Sequence, residues 1–176
     1  MDLNRIEQLM TLNQDGLIND TLAFWLKNAI DEQSGGFLHY LDRRGNVYAT
    51  DKRVWILNRF TWLLALMYNN VEKKNRWLEL AEHGIKFIEM HCFDTDGRMF
   101  FEVTRDGSPL RKRRYVFSEA FGVLAYSEFA LASGDAAMLD RAKEIFQRMV
   151  CYYQNPDLLP PKFCPQTRPC KGHAMP

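Results

Sequence analysis

The sequence predicts an all-α protein: a two-layered array of helical hairpins in which amphipathic outer helices shield apolar inner ones. Three observations carry this expectation. Helical periodicity recurs along most of the chain, amphipathic helices alternate with helices that are apolar nearly all round, and one segment recurs at a constant offset of 62 positions. With 176 residues, 47% hydrophobic and 26% charged, the chain has the length and composition of one globular domain.

The elements follow in order. Residues 17–30 place Ile18, Leu22, Trp25 and Ala29 on one stripe, with Asn19, Asp20, Lys27 and Asn28 elsewhere, which reads as an amphipathic helix. Residues 35–45 (GGFLHYLDRRG) read as a short β-hairpin with an R-x-G turn. Residues 54–68 follow as a helix whose only polar members are Asn58, Arg59 and Thr61, and such a helix is expected to be buried nearly all round. Residues 76–90 are amphipathic again, with Trp77, Ala81, Ile85 and Ile88 opposite Glu79, Glu82, Lys86 and Glu89. The second hairpin, GRMFFEVTRDG at 97–107, aligns with the first: Gly35 falls on Gly97, Arg43 on Arg105, and Gly45 on Gly107. The apolar helix at 116–131 then falls on the one at 54. Gly134-Asp135 supplies a stop and an N-cap before the amphipathic helix at 136–150, whose stripe is Met138, Ala142, Ile145 and Met149.

Composition excludes several classes. Lys plus Arg is 23 against 22 acids, a net charge of +1, which argues against nucleic acid as the main partner. The opening MDLNRIEQLMTLNQDG has no apolar signal region, and no run approaches the ~18 apolar residues of a membrane span. The expected location is cytoplasmic, with no membrane partner. Four cysteines are too scattered for a disulfide scaffold. Cys164, Cys170 and His173 have a spacing that matches no usual structural zinc pattern, so no metal is expected. The basic run Arg111-Lys112-Arg113-Arg114 lacks neighbouring glycines and reads as a solvated turn. Two full units end near residue 133, and a third passes from the helix at 136–150 through a Pro-rich stretch to KGHAMP. Stacked hairpins need neighbours to cover their apolar faces. Residues 1–176 are therefore expected to form a single incomplete domain, the N-terminal part of a larger toroid.

Four strings in order carry a resemblance: DEQSGGF (31–37), KRVWILNRFTW (52–62), VTRDGSP (103–109) and FSEAF (117–121). Together they resemble the N-acylglucosamine 2-epimerase family from about Thr21 to the last residue. The VTRDG and FSExF strings place the chain nearest the N-acylglucosamine branch. The resemblance implies an (α/α)6 barrel with about two and a half hairpins present here. It also implies epimerisation or isomerisation of unphosphorylated sugars, no cofactor, a small-molecule sugar as partner, and compatibility with a homodimer of the full-length parent.

Arg59 sits in an otherwise apolar helix, where an unpaired cation is costly. It reads either as the ion-pair partner of an inner carboxylate such as Glu119 or, by the resemblance, as a guanidinium that contacts sugar oxygens. Glu119 reads as an orienting partner of Arg59, a charge complementing its helix dipole, or a substrate contact. Trp55, Trp62 and Phe117 are core residues or aromatic walls of a sugar cavity. His173 is a solvated loop residue or, by resemblance to several branches of the family though not the mammalian type, a pocket-lining residue at the start of a third inner helix, acting as a substrate contact or auxiliary acid/base. His39, His83 and His91 lie in no motif.

Epimerisation at C2 needs ring opening, removal of the proton alpha to the aldehyde, and reprotonation of the enediolate on the other face. In the family, two histidines on later inner helices carry the proton transfers, beyond Pro176. The chain alone is therefore expected to be inactive. A glycoside hydrolase using carboxylates such as Asp94, Asp96 and Glu119, and a non-catalytic helical-repeat binding module, are the alternatives.

Overall fold

In the computed structural model, residues 2–112 and 115–159 are described. Helix begins earlier than the periodicity suggests. Asp2 caps α1 (Leu3–Asp15), its Oδ1 accepting from the backbone N–H groups of Asn4 and Arg5 at 3.1 and 3.4 Å. A π-helical segment, Gly16–Leu22, leads on into α2 (Ala23–Asn28). Because α1 buries no residue, its apolar positions form no buried stripe for periodicity to detect. Farther along, Leu22 and Ala29 of the expected stripe are fully buried.

The two inner helices are α3 (Val54–Asn70) and α5 (Phe117–Ser133), which pack side by side. Behind them lie α4 (Asn75–His91) against α3 and α6 (Ala136–Gln154) against α5. Layering follows from the sequence: the whole expected stripe of α4, Trp77, Ala81, Ile85 and Ile88, is buried. Gly134, in the left-handed region at φ 74°, ends α5 where a side chain would be strained. Asp135 then caps α6, its Oδ1 accepting from Ala137 N at 2.9 Å.

Near-complete burial of the inner helices is the expectation that fails. Along α5, Phe117 is 50% exposed, Leu124 42% and Leu131 75%, and on α3 Arg59 is exposed. These side chains occupy faces that no described element covers. The core runs between the layers, joining Leu57, Leu64, Phe87, Ile88, Met99 and Tyr126.

Short strands cap the N-terminal ends of the inner helices. β1 (Tyr40–Leu41) pairs antiparallel with β2 (Val47–Ala49). β3 (Lys52–Arg53) pairs not with its own hairpin but with β4 (Glu102–Val103) of the next unit, which in turn pairs with β5 (Pro109–Arg111). The two R-x-G turns are made by Gly45 and Gly107, both at positive φ, where an added Cβ would collide with Asn28 and His91 respectively. Among the described residues, no helix is long and apolar enough to cross a membrane.

Candidate functional site

The strings that mark this chain meet underground, at two buried ion clusters beneath the inner helices. Asp31 and Lys52 are fully buried, with Lys52 Nζ 2.9 Å from Asp31 Oδ2. The same carboxylate takes both nitrogens of an Arg105 fork, Nε at 2.9 Å and Nη2 at 2.8 Å. Lys52 Nζ also donates to the carbonyls of Gly35 at 2.6 Å and Arg105 at 2.7 Å. Burial works against the Asp31 anion, but the hydrogen bonds from Arg105 and Lys52 outweigh it and hold the carboxyl well below its usual range. This knot draws the loop after α2, β3, and the turn of the second hairpin to one point.

The second cluster anchors α5. Glu119 Oε1 accepts from Arg98 Nε at 3.2 Å and from Met99 N at 3.0 Å. Arg98 Nη2 donates onward to the Tyr115 carbonyl at 3.1 Å. Burial lifts the Glu119 carboxyl above its ordinary range, with Arg98 opposing that shift. Two expectations are thereby corrected. Glu119 pairs with Arg98, not Arg59, because the 97–107 hairpin folds back onto the first turn of α5. At 1% exposure Glu119 also presents nothing to a substrate; its carboxylate is turned into the protein.

Above these clusters α3 and α5 share an uncovered face. Helical spacing puts Trp55 and Arg59 on one side of α3, and Phe117 and Phe121 on one side of α5. The Trp55 ring lies 5.4 Å from Phe117 and 5.8 Å from Phe121, and those two phenylalanines meet edge to face at 5.3 Å. The Arg59 guanidinium sits 5.8 Å from the Phe121 ring centre, and among the described residues no carboxylate pairs with it. Its expected burial is thus replaced by exposure over an aromatic floor. Such a face offers a permanent cation with free donors beside flat apolar surfaces.

Two hollows flank this face. One, of about 880 Å³, is lined by Trp55 and Phe117 together with Arg53, Tyr115 and Tyr152. The other, of about 460 Å³, is lined by Arg59 and Trp62 with Trp25, Phe37 and His39. The structure thus joins Trp55, Phe117 and Arg59, puts Trp62 with Arg59 in the second hollow, and turns Glu119 away from both. His173 and the Cys164–Cys170–His173 set lie outside the described residues. Asp94 and Asp96 are both held by Lys112, at 2.6 and 2.5 Å.

Sequence reasoning missed Phe121, Arg98, the Asp31–Lys52–Arg105 knot and His39. Phe121 was signalled by the 62-residue offset, which lays it on Arg59. Both ring nitrogens of His39 are buried without a hydrogen-bond partner. Burial, reinforced by the nearby Arg53 charge, pushes this histidine down to about 4. The other two are tied in place: His83 Nε2 lies 3.0 Å from the Gly36 carbonyl, and the His91 ring packs against Phe87.

Paired helices in two layers, with strands over the inner-helix ends, define the class, a helical-hairpin barrel. The chain belongs to the N-acylglucosamine 2-epimerase (GlcNAc 2-epimerase) family, whose model matches residues 35–160. It is 32% identical over 139 residues to the N-acylglucosamine 2-epimerase of Bos taurus and 30% identical over 141 residues to that of Homo sapiens. These matches cover 77% and 78% of this chain and 33% of each relative. The cellobiose 2-epimerase of Dictyoglomus turgidum is 29% identical, with 74% of this chain and 34% of the relative covered. Among solved structures, the cellobiose 2-epimerase of Bacillus thermoamylovorans superposes with a TM-score of 0.74 at 26% identity, over 80% of this chain and 36% of that one. The chain thus spans about a third of the length of the relatives it matches. Its fold is all-α, the N-terminal hairpins of an (α/α)6 barrel with short β-hairpins between paired helices.

Proposed function

We propose that this chain is the N-terminal part of a sugar 2-epimerase that interconverts N-acyl-D-glucosamine and N-acyl-D-mannosamine, or a related aldose, by proton removal and return at C2. The observation that carries this reading is the Arg59 guanidinium, free of any carboxylate among the described residues and held over Phe121 beside Trp55 and Phe117. Proton abstraction alpha to the aldehyde leaves an enediolate, and its oxyanion is stabilised by a fixed positive charge in a water-poor cavity. Arg59 supplies that charge without ever losing it, while the aromatic walls pack on the C–H face of the sugar and orient it. Trp62 lines the same hollow as Arg59. Proton transfer itself calls for groups that titrate near neutrality. His173 is the auxiliary candidate here, and the principal pair belongs to the remaining two-thirds of the barrel.

On this reading residues 1–176 make one side of a single incomplete domain and turn over no sugar alone. The whole protein works in the cytoplasm on a free sugar, needs no cofactor, and is compatible with a homodimer. The test is solvent exchange: in D2O the whole protein incorporates deuterium at C2 of N-acetylmannosamine, and the 176-residue chain does not. Arg59→Ala in the whole protein lowers the exchange rate by about 100-fold or more. Exchange absent from the whole protein with N-acetylmannosamine and with cellobiose alike would end the reading.

A further inference from the structure

The knot beneath α3 takes no part in the chemistry above, yet every valence of its central group is committed. An ammonium carries three donors and no acceptor. Lys52 spends all three, on Asp31 Oδ2, the Gly35 carbonyl and the Arg105 carbonyl, at 2.9, 2.6 and 2.7 Å. These acceptors belong to two segments remote from α3 in sequence. Two residues after Lys52, α3 begins without any side-chain cap of its own. What holds its first turn comes from outside: the pairing of Lys52 and Arg53 with Val103 and Glu102, and the bond from Val54 N to the Phe101 carbonyl at 3.0 Å. A helix is stiff along its axis, so the height and rotation set at Lys52 are passed to Trp55 and, one turn on, to Arg59.

We propose that Lys52 is a positioning residue: clamped between Asp31 and the Arg105 carbonyl, it fixes the rotation of α3 and so places Trp55 and Arg59 against Phe117 and Phe121. A side chain that served stability alone would need neither three matched acceptors nor a place at the root of the helix that carries the exposed guanidinium. Its loss leaves Asp31 with Arg105 but removes the side-chain tie from β3 to the second hairpin's turn, so that only the backbone pairing with β4 and the Val54–Phe101 bond still hold the start of α3.

The experiment compares the 176-residue chain with its Lys52→Met variant, both labelled with 15N. It follows the Trp55 indole Nε1–H and the Arg59 Nε–H signals, with the Trp77 indole on α4 as an internal reference. The expected result is a change of more than a linewidth at Trp55 and Arg59, with Trp77 in place and helical circular dichroism retained. Arg105→Ala keeps both the Asp31–Lys52 contact and the residue-105 carbonyl, so it moves the two signals less than Lys52→Met does. Should Lys52→Met not fold, Asp31→Asn takes its place, weakening the clamp while leaving an oxygen acceptor, and the same two signals move. A folded variant of Lys52 or Asp31 with Trp55 and Arg59 unmoved would overturn the proposal, even if its melting temperature fell. No sugar enters this measurement, so its outcome is independent of the epimerase reading.

Discussion

Laid over each other at an offset of 62, the two hairpin units of this chain solve one problem with different materials. Where the first unit has Gly36 and Leu57, the second has Arg98 and Glu119, all buried. The first unit packs Phe87 against the bare backbone of Gly36, so close that a Cβ there would lie 2.9 Å from the ring. The second fills the matching place with an ion pair at 3.2 Å. The first unit has buried ions too, Asp31 and Lys52, and it borrows Arg105 from the second to complete them. The fold therefore tolerates either packing or charge under an inner helix. The two fail differently, because a half-removed ion pair strands a charge while a trimmed apolar contact leaves only a cavity.

The largest effect is expected at the borrowed knot. Asp31→Ala leaves the fully buried Lys52 facing Arg105 with no anion between them, and is expected to cost about 3–5 kcal/mol, read as a lower urea midpoint by circular dichroism. An unchanged midpoint would mean that the knot is dispensable and the two units are equivalent after all. In the second unit, Glu119→Leu alone strands Arg98, with an expected loss of about 3 kcal/mol. The double variant Arg98→Met with Glu119→Leu transplants the first unit's apolar solution and should recover most of that loss. Failure to recover would show that Arg98 is needed for its bond to the Tyr115 carbonyl rather than for its partner.

A gentler comparison uses pH. His39 corresponds to Phe101 in the second unit, and its folded-state value of about 4 lies below the ordinary 6.5. Below 6.5 the unfolded chain takes up a proton that the folded chain refuses, so stability falls as pH drops from 6.5 toward 4. His39→Phe should flatten that slope in unfolding curves taken across this window; an identical slope would place His39 in water. Asp31 acts lower. Its folded value is depressed, so its contribution is complete above the unfolded value of about 3.9 and fades as pH falls through the folded one. Glu119 runs the other way, since its raised value favours the protonated, folded form as pH falls. The smallest stability change belongs to Arg59→Ala, within about 0.5 kcal/mol, because its side chain is exposed and unpaired with any described carboxylate.

Periodicity exposed the helices α3 to α6 to within a few residues because each buries a face against a neighbour of its own kind. It was silent on α1, which buries nothing. Partner choice was the harder matter. Arg59 lies in an apolar helix and Arg98 at the start of a hairpin after Asp94 and Asp96, and linear spacing cannot say which one Glu119 meets. The repeat gave no clue, because the two units differ at most aligned positions, Gly36/Arg98 and Leu57/Glu119 among them. The pairing of β3 with β4 escaped notice because a hairpin turn signals only its own two arms. The motif strings were legible as marks of kinship, and most of their charged members proved to hold the scaffold, while Arg59 stands over the uncovered face and Arg53 lines the hollow beside it.

One consequence of the shared knot concerns biosynthesis. Asp31 and Lys52 emerge from the ribosome long before Arg105, and at roughly 5–20 residues per second the guanidinium follows the ammonium by about 3–10 s. During that interval the nascent first hairpin has its acid and its ammonium but lacks both the carbonyl and the fork that complete their coordination. The leading unit matures only when the trailing one arrives, so the chain assembles as an arch whose first stone is locked by its second.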